Sequence, residues 1–312
     1  MKPVILFISV TSLASLAAQQ AASNPEIFLA QINLSARPMI SASLTNVSNN
    51  PGYDNQPSFL PDGSAVLFSS VRSGTQYDIY KYDVASQKVV PVTNSPDNEN
   101  SPIVTPDGKT FSAVRSEVPI GAENQRLWRF NLDGSNPSVM LPEVRRIGYH
   151  VWVDATHLLL FVLGSPNSLQ FADTATGTAE VIDQRIGRSL LLRPKTGTVT
   201  YISQPQDGRP LVKEFNPKTK QTTPLVEAVE GSSTRDCVWH PSGVLLMSAG
   251  TKVFAWTPSA SAGTAATPAP ATSWVEAGDF STAGIANISR MAIGPGPNGS
   301  WRLALVAELV AK

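Results

Sequence analysis

Few side chains in this sequence can do acid–base, nucleophilic or metal chemistry. There are three histidines (His150, His157 and His240) and one cysteine, Cys237. No H-E-x-x-H pair, glycine-rich phosphate loop or acidic calcium loop occurs. A single cysteine excludes an intramolecular disulfide and any multi-cysteine metal site. Its flanks, Asp236 and Val238-Trp239, read as strand around a small buried apolar residue. Two sets of residues remain. Asp54, Glu99, His150 and Asp236 are the ones able to gather round a metal. Arg188, Arg235 and Arg290 carry the forked guanidinium that grips a carboxylate through two parallel hydrogen bonds. Both sets are spread along most of the chain, so the fold must bring either together.

The repeat is present. Pro61-Asp62-Gly63 recurs as Pro106-Asp107-Gly108 and, more loosely, as Pro194-Lys195-Thr196-Gly197, Pro241-Ser242-Gly243 and Pro297-Asn298-Gly299, with Asp154-Ala155 a decayed copy. Equivalent positions step by 45, 47, 41, 47 and 56 residues, the period of a four-stranded propeller blade. Each element of the triplet has a physical role. Proline fixes φ at the first turn position, Asp or Asn bonds back to the local backbone, and glycine takes the positive φ that closes a hairpin. Around the first copy, Pro57–Leu60 leads in and Ala65–Ser69 leads out. The alternating Gln76–Asp83 follows as a third strand, and Val89–Thr93 as an outer strand that tolerates Pro91 at an edge. The later copies repeat this order, with innermost strands starting near 56, 101, 149, 188, 235 and 288.

The chain ends explain each other. The last repeat has only two strands, around Ser289–Ile293 and Trp301–Val306. Ahead of the first turn, Glu26–Ala30 resembles a third strand and Ser43–Asn46 a fourth. The sequence therefore predicts an all-β, six-bladed β-propeller of four-stranded blades. It spans 24–312, and N-terminal strands within 26–46 complete blade six and remove its open edge. The Ala/Thr/Pro-rich stretch 257–271 interrupts blade five and reads as a flexible loop.

Composition narrows the function. Lys+Arg 24 balances Asp+Glu 24, so no global field draws nucleic acid or an anionic membrane. Met1-Lys2, the apolar run to Leu16 and the small residues at Ser15 and Ala17 read as a signal peptide over 1–17, cleaved after Ala17. No later apolar stretch is long enough to span a bilayer. The expected location is the periplasm or the medium.

Gln56–Ser70, with Asp78-Ile79-Tyr80 and Val92-Thr93 following, resembles the repeat of the TolB-type propeller family, and so does Ser101–Lys109. Tryptophan or phenylalanine recurs as Phe59, Trp152 and Trp239. The resemblance covers the propeller only, without the α/β domain that TolB carries ahead of it. It implies a fold used by scaffolds, receptors and the regulatory halves of peptidases. The G-x-S-x-G elbow of peptidase relatives is absent.

In such a ring, residues just before each innermost strand surround the central opening. Blades one and two bring Asp54 and Glu99 there, blade three Tyr149 and His150, and blades four to six Arg188, Arg235 and Arg290. The arginines suggest a mouth for an acidic side chain or a chain terminus. The reading is a monomeric, non-catalytic exported module, without cofactor or metal, that binds a protein or peptide partner in the bacterial envelope. The alternative is a metal-assisted propeller lyase or lactonase-like hydrolase with its site in the funnel.

Overall fold

A computed structural model describes residues 24–36, 39–72, 74–233, 235–259 and 267–310. The signal segment 1–17 lies outside the described residues, as does 260–266 of the low-complexity stretch. The chain begins with β1 (Pro25–Ile32) and β2 (Thr45–Asn46). Blade one is β3 (Asp54–Phe59), β4 (Ala65–Ser70), β5 (Asp78–Asp83) and β6 (Lys88–Pro91). Blade two is β7 (Asn98–Val104), β8 (Thr110–Ser116), β9 (Gln125–Asn131) and β10 (Ser138–Val139). Blade three is β11 (Ile147–Trp152), β12 (His157–Val162), β13 (Ser168–Asp173) and β14 (Thr178–Gln184). Blade four is β15 (Ile186–Leu192), β16 (Val199–Ser203), β17 (Leu211–Asn216) and β18 (Gln221–Glu227). Blade five is β19 (Cys237–Trp239), β20 (Leu245–Ala249), β21 (Lys252–Trp256) and β22 (Val275–Asp279), and the chain ends with β23 (Ile285–Pro295) and β24 (Trp301–Leu309).

Six antiparallel four-stranded sheets result, and the sixth is ordered β2-β1-β24-β23. The clasp is therefore a full strand pair, with Pro25 opposite Glu308 through Ile32 opposite Trp301. The fold is the six-bladed propeller that the repeat implies. The repeated turns behave as their residues dictate. Gly63 sits at φ 72° with its N–H donating to Leu60 O, and the Asp62 carboxylate accepts the Ser64 N–H. The close approach of the Pro295 carbonyl leaves no space for a side chain at Gly63.

The core is one apolar cluster per seam. Leu158, Leu160 and Val162 of β12 pack toward blade two, while Leu159 and Phe161 pack toward blade four. A second strand buried on both faces reads as an unbroken apolar run rather than an alternation. Buried indoles fasten two seams. Trp152 Nε1 donates to Ser112 Oγ at 2.9 Å, and Trp239 Nε1 donates to Thr200 Oγ1 at 2.8 Å. Phe59, at the equivalent place in blade one, has no donor to do this. Past the low-complexity stretch, Ala269 bridges to Val226 in parallel on the outer edge of blade four, and its N–H donates to Leu225 O.

Candidate functional site

The innermost strands β3, β7, β11, β15, β19 and β23 contact one another in turn around the axis. They enclose a channel of about 290 Å³ lined from all six blades. Because every blade repeats one strand order, these strands all start at the same end of the channel. That end carries Gln56, Ser101, Tyr149, Arg188, Asp236 and Arg290, and the far end carries Phe59, Ile103, Leu192, Val238 and Ile293. The channel is polar at one mouth and apolar at the other.

Bulges aim the polar residues. Five of the six innermost strands shift register near their starts: between Asn55 and Ser58, Asn100 and Ile103, Ile147 and Tyr149, Ile186 and Leu190, and Ala286 and Arg290. An extra residue re-aims the side chains that follow it. At two bulges Gln56 and Ser101 take φ 59° and 55°. Gln56 Oε1 there accepts the Ser101 N–H at 2.8 Å and the Ser69 hydroxyl at 2.7 Å, stitching blade one to blade two.

The charged groups of the mouth are few. Asp236 is buried, and its Oδ2 accepts the Met291 N–H at 2.6 Å. Burial pushes its carboxyl up, while nearby Arg290 and Arg188 pull it down. Arg188 reaches from blade four to blade six, where its Nη2 donates to Ser289 O at 2.6 Å. Arg290 Nε donates to Asn55 Oδ1 at 3.2 Å, and its guanidinium carbon lies 4.9 Å from the centre of the Tyr149 ring. Neither arginine forms an ion pair within 4.0 Å among the described residues. Tyr53 adjoins them, its hydroxyl pushed up to about 12 by burial against the opposing pull of Arg290. Its ring meets Tyr77 edge-on at 5.1 Å.

His150 also lines the channel but is buried toward blade two, its Nε2 2.7 Å from Ser112 Oγ. Burial pushes its pKa down to about 3, so the ring is neutral at ordinary pH. The assigned pattern leaves Nδ1 without a partner, and Ser101 Oγ and Arg188 Nε share that condition.

The structure brings Arg188, Arg290, Tyr149, His150 and Asp236 together at one mouth. It sets Asp54 and Glu99 apart, since both are fully buried between blades and away from the channel lining. Asp54 lies 3.7 Å from Arg72 Nη2, and burial raises its carboxyl to about 6. Glu99 pairs with Arg115 Nε at 3.2 Å and accepts the Ser95 hydroxyl at 2.6 Å; burial raises it to about 7. Glu99 thereby holds the loop that enters β7 through the Thr93 and Ser95 hydroxyls. Arg235 opens instead onto a neighbouring pocket of about 400 Å³, shared with Arg188, Phe161, Asn167, Gln204 and Ser233. Among the described residues, no three His, Cys, Asp or Glu side chains cluster so as to hold a metal. Sequence reasoning had not marked Tyr53, Tyr77 or the apolar half of the channel. The innermost-strand ends carried the signal for that apolar half.

Solved structures with this architecture are numerous. A putative TolB from Agrobacterium tumefaciens aligns with a TM-score of 0.63 at 13% identity, covering 92% of this chain and all of that one. TolB from Acinetobacter baumannii aligns at 0.56 and 13%; 92% of this chain is covered, but only 64% of that longer protein. An oligogalacturonate lyase in complex with manganese aligns at 0.54 and 10%, covering 87% of this chain and 80% of that one. At these identities the likeness is one of fold. No family model and no curated protein matches the sequence. The chain is thus a six-bladed propeller of the architecture seen in TolB structures, with a channel mouth built from arginine, tyrosine and one buried aspartate. No helix among the described residues is long and apolar enough to cross a membrane.

Proposed function

We propose that this chain is a non-catalytic exported propeller, periplasmic or secreted, that binds an acidic group of a protein or peptide partner at the polar mouth of its channel. The carrying observation is the pair Arg188 and Arg290, which line that mouth without an ion-pair partner among the described residues. Asp236, the one carboxylate lining the channel among the described residues, is already engaged by the Met291 N–H. A guanidinium held by one hydrogen bond and ring stacking keeps N–H donors for an incoming carboxylate, and such charge-assisted bonds are the strong ones. The TolB-like architecture supports a scaffold reading, and the signal-like N-terminus supports export.

A labelled peptide with one internal aspartate and blocked ends tests the proposal by fluorescence anisotropy. Wild type is expected to bind it, and Arg188→Ala/Arg290→Ala to lose at least tenfold in affinity. Unchanged binding by the double variant overturns the proposal. Elemental analysis of the purified protein checks the rival metal-assisted enzyme on the same scaffold.

A further inference from the structure

The channel has two chemistries along one axis, and together they specify more than an acid. We infer that the channel is a receptor for a free polypeptide C-terminus ending in a large apolar residue such as leucine or phenylalanine. This inference rests on the reading of the mouth as an acid-binding site and names the class of acid.

The two ends of the channel differ in kind. At the mouth, Arg188 and Arg290 flank the buried Asp236, so two guanidinium groups face a single carboxyl. Ser101, His150 and Arg188 line the channel, and their Oγ, Nδ1 and Nε atoms are buried without a hydrogen-bond partner. Deeper, the lining turns to Phe59, Ile103, Val238 and Ile293 and offers only apolar contact.

Size and connectivity select the occupant. The volume of about 290 Å³ is at the lower end of the roughly 300–1,000 Å³ usual for small-ligand sites, which suits one residue and not a folded loop. A C-terminal residue carries its carboxylate and side chain on the same Cα. With the carboxylate turned to the arginines, the side chain enters the apolar half. The N–H side of the residue then leads the chain out between Tyr53 and Tyr149, which are partly open to solvent. An internal aspartate has no apolar group to place below its carboxylate and leaves the deeper half unfilled.

The test uses the full propeller and four unlabelled competitors against an end-labelled Gly-Ser-Gly-Leu peptide with a free carboxylate. Those competitors are the same peptide as its C-terminal amide, the peptide ending in Gly, an end-blocked peptide with one internal Asp, and octanoate. The free-acid Leu peptide is expected to bind at least tenfold more tightly than the amide, because a charge-assisted hydrogen bond is lost. It is expected to exceed the Gly-ended peptide by a similar factor through loss of apolar burial. Octanoate is expected to compete poorly, having no chain to lie between the tyrosines. Equal affinity for amide or Gly peptide overturns the inference, and octanoate competing as well as the peptide reassigns the channel to small apolar acids. If the internal Asp peptide matches the Leu peptide and still depends on Arg188 and Arg290, acid capture stands and the terminus assignment falls. If no peptide binds, both fall.

Discussion

Replacing Glu99 with Gln should flatten the pH dependence of stability. Glu99 is fully buried at the start of β7, and burial raises its carboxyl from 4.5 to about 7, despite Arg115 and the Ser95 hydroxyl pulling the other way. Below pH 4.5 the group is protonated in both folded and unfolded chains and contributes its full relative stability. As pH rises toward 7 the unfolded chain releases its proton first, so the folded state loses ground. A gap of about 2.5 pH units at roughly 1.4 kcal/mol each amounts to about 3.5 kcal/mol. About 2.5 kcal/mol of this falls between pH 5 and pH 8, since an unfolded glutamate is already largely ionised at pH 5. Asp54, raised to about 6, adds a slope of the same sign in both proteins and cancels in the comparison. Gln keeps the shape of the neutral acid, and Arg115 retains Asp97 at 2.7 Å. Urea unfolding of wild type and Glu99→Gln at pH 5 and pH 8 measures the double difference. The wild type should lose about 2–3 kcal/mol more than the variant across that interval. Equal losses in the two proteins refute the claim that an ionised Glu99 is held at a cost between the blades.

Three further outcomes follow from the ring. Deleting residues 24–46 removes β1 and β2, leaving β24 paired to β23 alone and an open edge on blade six; the shortened chain should lose cooperative thermal unfolding and self-associate on size exclusion, whereas a ring that melts as before shows that the clasp is dispensable. A Cβ at Gly294 lands on Cγ, Cδ1 and Cβ of Phe59, so Gly294→Ala should cost about 1–3 kcal/mol by overpacking, measured by denaturant midpoint; made in a Phe59→Ala background, which lacks the ring, it should cost less than it does in wild type. His150, held neutral by burial with its pKa near 3, should show ring-nitrogen chemical shifts that do not move between pH 5 and pH 8; a titration near 6.5 contradicts its placement.

Most of the ring was legible because its signals are local. Pro-Asp-Gly encodes a turn whatever surrounds it, and β12 announces its two buried faces as Leu158–Val162 without interruption. The sixth blade was legible because its two halves lack what the other supplies. The site was only partly legible, and the bulges are the physical reason. Side chains alternate along a strand, but one inserted residue exchanges the faces beyond it. Asp54 and Glu99 precede the bulges of β3 and β7 and point between blades, while Gln56 and Ser101, at the bulges, reach the channel. Nothing in residue type distinguishes these cases. The parallel bridge of Ala269 to Val226 is equally silent in sequence, since it joins a low-complexity stretch to another blade's edge.

The mouth and the closure of the ring depend on the same residues. Arg290 belongs to β23, the innermost strand of the blade that β1 completes, and its Nε meets Asn55 across the seam between blades six and one. Arg188 spans from blade four to Ser289 on that same strand, over the buried Asp236 of blade five. Both cations are therefore positioned by contacts that exist only in the closed ring. On the proposed reading, a carboxylate bound between them would add a tie among blades one, four and six, and the ring holds the guanidinium groups ready for it. Preorganisation of this kind lowers the ordering cost of binding. The proposal would also account for arginines at positions where the seam between blades one and two is satisfied by hydroxyls and amides, those of Gln56, Ser69 and Ser101.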